Sequence, residues 1–348
     1  MLGLSRRAPS PSRLLPLVLL ATIVVAVAVD RVPAASAAPD PPLQLPGLFS
    51  DHMVLQRGRK LPIWGRAAPQ QKVTVAVAGS TAATRSDRAG AWRVQLPPLP
   101  AGGPHELTVR AGEHTLVVRD VLVGEVWLCG GQSNMVLPLG LSKGRWAAVR
   151  RARNDRIRLL QVPRRPRLAA GRKVGATWAR CRPRAVSTFS AVCYYLGAEL
   201  QRRLKLAVGL VEADASNTPI EAWIPRRALA ARKELEPLLA HWRKRVARDP
   251  DKRLARARPG VLYDGMIAPL TPMALRGVAL YHGESNVPRA WQYRTLFPLL
   301  IRSWRRAYGQ PRLPVLFVQL ANVRKTLRKP AESARAELRQ AQLETHRA

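Results

Sequence analysis

A chain of 348 residues is long enough for one large domain or two ordinary ones, each with its own core, which excludes a lone small module. Hydrophobic residues make up 47% and charged residues 23%, ordinary globular values that exclude wholesale disorder. The net charge of +36 points first to a nucleic-acid binder, but the basic residues run from Arg6 to Arg347 instead of forming a stripe interleaved with stacking aromatics. The expectation is therefore nonspecific, salt-screened attraction to acidic polymers and no specific nucleic-acid partner.

Residues 1–38 read as a signal peptide. Arg6, Arg7 and Arg13 precede an apolar run from Leu14 to Val29, and Ala35-Ser-Ala37 has the small-x-small form that signal peptidase accepts. Cleavage near Ala38, export to a periplasmic or extracellular space and no membrane contact afterwards are expected; a retained anchor is the alternative. Cys129, Cys181 and Cys193 have no metal-ligand spacing, so buried free thiols are expected, with one disulfide as the alternative in an exported protein.

Residues 39–123 are read as a β-rich N-terminal domain, a small β-sandwich. Short strands are expected over Leu61–Trp64, Lys72–Ala78, Ala91–Leu96, Glu106–Arg110 and Thr115–Val118, with turn signals such as Asp87-Arg-Ala-Gly90 between them. Val73, Val75 and Val77 alternate with smaller or polar residues, the pattern of a half-buried antiparallel strand. After Gly124, apolar strand-like runs alternate with helix-length amphipathic segments, the pattern of an α/β domain spanning 124–348. Buried strands are expected over Glu125–Cys129, Ile157–Val162, Ala207–Ala213, Gly277–Tyr281 and Val315–Leu320. Helices are expected over Ser190–Leu204, Pro225–Ala247 and Tyr293–Ala307. Strand-helix-strand units imply parallel pairing, with ligands at the carboxyl ends of the strands.

Ser133 follows the strand Glu125–Cys129 across two glycines, and Asn134 and Met135 open the next helix. A serine on a strand-to-helix turn exposes its hydroxyl above the sheet, where backbone N–H groups can hold an oxyanion. The run lacks the second glycine of the G-x-S-x-G elbow, which disfavours an ordinary α/β-hydrolase, and from spacing alone a plain turn stays open.

Several blocks in order resemble the sialate O-acetylesterase family of SGNH-type hydrolases. They are Leu48-Phe-Ser-Asp-His-Met-Val-Leu-Gln56, Val126 to Met135, Trp178 with Cys181, and Phe189-Ser-Ala-Val-Cys-Tyr-Tyr-Leu-Gly197. Thr218-Pro-Ile-Glu-Ala-Trp223, Leu262-Tyr-Asp-Gly-Met-Ile-Ala-Pro-Leu270, Gly283-Glu-Ser-Asn286 and Tyr293-Arg-Thr-Leu-Phe297 follow. The resemblance implies a flavodoxin-like, three-layer α/β/α hydrolase behind a small β-sandwich-like domain. It implies removal of O-acetyl groups from sugars through an acyl-serine, with Ser133 as nucleophile, and it implies no metal or cofactor. Serine needs a neighbouring base; in such families a histidine two residues after an aspartate, near the C-terminus, supplies it.

The sequence departs from that pattern in three places. Ser216-Asn217 replaces two glycines, one of which offers an oxyanion N–H; Asn217 keeps an N–H and tolerates positive φ. His282 stands where the family has glutamine, on the oxyanion side, with a general-base role as the alternative. Beside it, Glu284 either orients a catalytic group or is a structural carboxylate on backbone N–H groups. Finally, Ala336 to Leu343 resembles the helix before the Asp-x-His block, and Ala348 ends the sequence with no such pair, which reads as a C-terminal truncation. His346 is read as tail. The leading expectation is a carbohydrate O-acetylesterase acting on an O-acetylated carbohydrate; the alternative is a catalytically degenerate carbohydrate-binding protein of the same fold.

Overall fold

The computed structural model describes residues 43–169, 174–251, 255–323 and 331–345, so the expected signal peptide over 1–38, its expected cleavage site and His346 lie outside the described residues. The described architecture belongs to the unit Asp40–Ala348.

The first part of the chain supplies β1 (Val54–Gln56), β2 (Leu61–Arg66), β3 (Lys72–Val77), β4 (Ser80–Arg85), β5 (Ala91–Leu96), β6 (Gly102–Ala111) and β7 (His114–Gly131). β4, β3, β6 and β7 form an antiparallel array, while β2 and β5 pair as a separate ribbon. Alternation decides which side is core: Val73, Val75 and Val77 are buried, as are Leu61, Ile63, Trp92, Val94 and Leu96 on the ribbon. β4 was not expected, because Ser80-Thr-Ala-Ala-Thr-Arg85 carries no apolar stripe. It forms because Ala78-Gly79, both at positive φ, turns the chain back onto β3 as a two-residue hairpin loop.

β7 is the axis of the molecule. Its first half pairs with β6, its last seven residues pair in parallel with one neighbour in a second sheet, and its last five also pair in parallel with the other. At about 3.3 Å per residue its eighteen residues reach roughly 60 Å. The junction drawn at 123/124 falls inside this uninterrupted strand, with β1 paired in parallel alongside at Leu122–Gly124.

The second sheet adds β8 (Asn154–Gln161), β9 (Ala179–Cys181), β10 (Val208–Asp214), β11 (Gly277–Tyr281) and β12 (Val315–Phe317). Its order is β9-β8-β10-β7-β11-β12, parallel throughout except for the antiparallel edge strand β9. The chain is thus a mixed α/β fold with a central sheet and helices. Those helices are α1 (Ser133–Val136), α2 (Arg145–Arg151), α3 (Pro183–Ser187), α4 (Ala191–Leu204), α5 (Arg226–Ala230), α6 (Glu236–Arg248), α7 (Ala290–Ala307) and α8 (Ala334–Thr345). Among the described residues no helix is long and apolar enough to cross a membrane.

α4 lies against β8 and β10, its Ser190 N-cap accepting from the Cys193 N–H at 3.2 Å. α7 buries Tyr293, Leu296, Phe297, Leu300 and Trp304 at helical spacing. Three expectations need correction. The helix expected over Pro225–Ala247 is two helices, because Pro237 lacks an N–H and fits only the first turn of α6. The last strand stops at Phe317 instead of Leu320. The thiols expected to be free are not all free: Cys129 on β7 and Cys193 on α4 form a disulfide, leaving Cys181 as a buried thiol.

That bridge closes a separation of 64 residues and fastens α4 to the strand that delivers Ser133. Cys193→Ser is expected to lower the unfolding free energy by about 4 kcal/mol on a loop-closure basis. Urea titration of oxidised, reduced and variant protein checks this, and equal midpoints would show the bridge idle.

Candidate active site

Three strand ends converge at the candidate site. Asp214 of β10 and Tyr281 of β11 are both in register with Gly131 of β7. The chain leaves these ends under cross-bonding: Ala215 N–H donates to the Gly131 carbonyl at 3.1 Å, and Gln132 N–H to the Tyr281 carbonyl at 3.1 Å. Gly131, at φ +153°, is required here, since a Cβ would lie 2.2 Å from the Tyr281 oxygen. Ser133 follows two residues beyond Gly131, Asn217 three beyond Asp214, and His282 and Glu284 one and three beyond Tyr281. All four sequence-selected residues thus sit on loops at the carboxyl ends of three adjacent parallel strands, at the point where connections leave to both sides of β7.

Ser133 opens α1 with its side chain exposed, and among the described residues none is hydrogen-bonded to its hydroxyl. Its two neighbours are held by one carboxylate. Glu284 accepts from the Gln132 amide and, at 2.5 Å, from Asn134 Nδ2. The side-chain oxygen of Gln132, Oε1, in turn accepts from Ser285 Oγ at 2.7 Å. Glu284 is therefore bonded to side chains flanking the serine, not to backbone N–H groups.

Asn217 has φ +58° and is exposed, the left-handed conformation that asparagine accepts more readily than most residues. Its successor Thr218 is buried, donating to the Ala215 carbonyl at 2.7 Å and accepting from Trp223 Nε1 at 3.1 Å. Below lies an ionic network. Glu221, fully buried, accepts from Asn286 Nδ2 at 3.0 Å and from Arg289 at 2.6 Å, while Asn286 Oδ1 takes the Ile220 N–H at 2.8 Å. The loops carrying Asn217 and Glu284 are thus one bonded unit.

His282 is buried beneath Tyr293, whose ring stacks at 6.4 Å and whose hydroxyl donates to the His282 carbonyl at 3.2 Å. Burial pulls its pKa down to about 4, partly offset by the Thr218 backbone, so the ring is neutral at pH 7. Nε2 has no hydrogen-bond partner among the described residues. Because an unfolded chain protonates this imidazole near 6.5 while the folded one resists to about 4, stability is full above 6.5 and falls as the pH drops through that window. The loss is about 3 kcal/mol at most. In thermal melts between pH 7 and 4, His282→Gln is expected to flatten the acid decline; an unchanged slope would contradict it.

The other described histidines are elsewhere. His52 Nδ1 meets Asp120 at 2.7 Å, and Asp120 precedes Gly131 by eleven residues of β7, up to roughly 35 Å of chain. His105 and His114 lie on β6 and β7, and His241 is exposed on α6.

Sequence reasoning gave no role to Gln132 or Asn134, though polar residues on both sides of a serine at a buried turn are a usable signal. It also missed two groups. Gln342 of α8 donates to the His282 carbonyl at 3.0 Å and accepts from Leu320 N–H at 3.0 Å, tying α8 to the site. Glu212 and Asp214 share Arg164 Nη2 at 3.2 and 2.7 Å just under the end of β10. Burial, then the Asp214 carboxylate, pushes Glu212 up to about 8. Among the described residues no group of His, Cys, Asp and Glu is arranged to hold a metal.

Comparison with known proteins defines the class. The fold matches a crystal structure of a carbohydrate acetylesterase from Xanthomonas citri with a TM-score of 0.78 and 34% identity, covering 88% of this chain and 66% of that one. Residues 123–347 match the profile of the carbohydrate esterase, sialic acid-specific acetylesterase family. The chain belongs to that family. It is 31% identical to the sialate O-acetylesterase of Rattus norvegicus over 325 residues, 79% of this chain and 59% of that protein. It is also 31% identical to the Homo sapiens enzyme over 284 residues, 75% and 52% of the two chains. The chain therefore spans a little over half the length of these curated relatives.

Proposed function

We propose that this protein is an exported, serine-dependent carbohydrate O-acetylesterase that removes O-acetyl groups from sugars, with an SGNH-type three-layer α/β/α hydrolase domain over 124–348 and a β-sandwich-like domain over 39–123. The observation that carries the reading is Ser133, exposed at the end of β7, with both its neighbours bonded to Glu284. Family membership supports the ester chemistry. The disulfide favours an oxidising compartment, in line with removal of residues 1–38 as a signal peptide.

In this reading Ser133 Oγ attacks the acetyl carbonyl carbon and its proton passes to a base. The resemblance assigns that base to a histidine of an Asp-x-His pair. The carbonyl oxygen becomes an oxyanion facing the Ser133 and Asn217 N–H groups, with neutral His282 as a further donor. Collapse breaks the bond to the sugar oxygen, which leaves as a hydroxyl with the proton returned by the base; water then gives a proton to the base, attacks the acyl carbon and releases acetate, and Ser133 Oγ is reprotonated. Glu284 acts by fixing Gln132 and Asn134, so that the Ser133 backbone does not reorganise during the reaction. The net positive charge acts through screened, nonspecific attraction, without a specific nucleic-acid partner.

One observation favours a second reading. Among the described residues no imidazole meets Ser133, as in a sugar-binding protein that keeps the fold without turnover. Acetate release from O-acetylated sialic acid and acetylated xylan separates the two. Release that disappears in Ser133→Ala supports the esterase, and sugar binding without release from any acetyl ester supports the second.

A further inference from the structure

A wide cleft in the described structure has no lining residue on the loops that carry Ser133, Asn217, His282 and Glu284. It has a volume of about 1200 Å³ and lies beside the first half of β7, where Leu116, Val117 and Val118 form part of its wall. Val118 precedes Gly131 by thirteen residues of that strand, so this wall of the cleft lies up to roughly 40 Å of chain before the strand end that leads to Ser133. The β2–β5 ribbon forms the facing wall. Trp64 and Arg93 are cross-strand partners, as are Arg66 and Ala91, so an aromatic ring and two guanidinium groups occupy one face of the ribbon. Trp64 is only half-buried, held edge-on by Phe49 at 4.7 Å between ring centres.

The charges around this cleft are unevenly satisfied. Asp87 accepts the Ala89 and Ala91 N–H groups at 2.9 and 2.8 Å, and Asp51 accepts the Arg119 N–H at 2.7 Å. Each carboxylate uses its Oδ1 for backbone and makes no ion pair with an arginine of the cleft among the described residues. The arginines have no such partner: Arg66 reaches only the Ala89 carbonyl, Arg85 the Gln70 carbonyl at 2.9 Å, and Arg93 is exposed with no carboxylate contact among the described residues. An aromatic plate beside guanidinium forks that no carboxylate of the described residues contacts suits a ring with an apolar face and a carboxylate. A purely apolar occupant would leave the arginines unused, and a neutral sugar would use only the tryptophan.

We propose that this cleft is a second, non-catalytic binding site for an acidic oligosaccharide, with Trp64 stacking on a sugar ring and Arg66 and Arg93 receiving its carboxylate. The site would hold an anionic glycan while Ser133 acts elsewhere. It does not depend on Ser133 being the nucleophile.

The test is calorimetric titration of the full chain with trigalacturonate and, separately, cellotriose at physiological salt. Trigalacturonate is expected to bind at least about tenfold more tightly than cellotriose. Arg93→Ala is expected to weaken it by about tenfold, and Trp64→Ala by a similar factor. The control is Arg302→Ala, an exposed arginine of α7 far from the cleft in sequence, which should change binding less than about twofold. Should Trp64→Ala unfold, Arg93→Ala, altering an exposed side chain, still decides. Equal binding of the two sugars, no trigalacturonate binding at millimolar concentration, or equal losses in Arg93→Ala and Arg302→Ala would overturn the proposal. Hydrolysis of p-nitrophenyl acetate by the same samples reports separately on Ser133 and should be unchanged in Arg93→Ala.

Discussion

Ser133→Ala is expected to lower kcat/KM for p-nitrophenyl acetate and for O-acetylated sialic acid by about three orders of magnitude or more. The size follows from the proposed role of Ser133 as nucleophile: without Oγ no acyl-enzyme would form, and only the oxyanion donors would remain to assist direct attack by water. Stability should be unaffected, because the side chain is exposed and hydrogen-bonded to nothing among the described residues. The contrast is with Ser285→Ala. Ser285 Oγ is engaged with Gln132 at 2.7 Å, so its loss should loosen the clamp and lower kcat by about tenfold or less, leaving KM nearly unchanged. If the two variants fell equally, Ser133 would have no special role. Side-by-side initial rates and thermal melts of the three proteins make the comparison.

Glu221→Ala is expected to lower the unfolding free energy by about 3 to 5 kcal/mol. Glu221 is fully buried, and its carboxylate is the common acceptor for Arg289 and Asn286. Truncation leaves a partly buried guanidinium and a buried amide without their acceptor, and each then bears its desolvation cost unrelieved. Removing both charges should hurt less. Glu221→Leu combined with Arg289→Met is expected to recover about 1 kcal/mol or more relative to Glu221→Ala, because a well-packed apolar pair needs no counter-charge. Urea unfolding of the three proteins reads this directly. A loss below about 1 kcal/mol for Glu221→Ala would mean that water reaches the carboxylate after all.

Much of the fold is visible in the chain because burial on both faces writes a continuous apolar run. Gly277–Tyr281 is the strand it reads as, and Glu125–Cys129 lies wholly within β7. What alternation cannot reveal is length: nothing in the sequence near Gly124 announces that β7 continues unbroken from one sheet into the other. The polar strand β4 is specified by a two-residue turn and not by its own composition. Pro237 was legible as a helix breaker, but the apolar spacing across it suggested one helix. Cys129 and Cys193 pair because a strand and its covering helix bring their Cα atoms to 5.9 Å, a tertiary fact that spacing along the chain does not encode.

Ser133 was singled out by its place on a strand-to-helix turn, and Asn217, His282 and Glu284 by the family resemblance; the structure places all four at adjacent strand ends, with Asn217 at positive φ. The partners that fix them were less legible. Glu284 meets Gln132 and Asn134 across about 150 residues, and Gln342 meets His282 across 60. The acid pair Glu212 and Asp214 reads as a flaw in a buried strand until Arg164 is seen between them.

The central claim is that the acetyl group passes through Ser133, and the most direct measurement is to find the side chain that carries it. The protein would be mixed with p-nitrophenyl acetate, quenched in acid, digested and analysed by mass spectrometry, with hydroxylamine used to separate ester adducts from acetylated lysines. A hydroxylamine-sensitive acetyl on Ser133, absent in Ser133→Ala together with acetate release, is the predicted result. An ester adduct on Ser285 or another hydroxyl, with release preserved in Ser133→Ala, would contradict it.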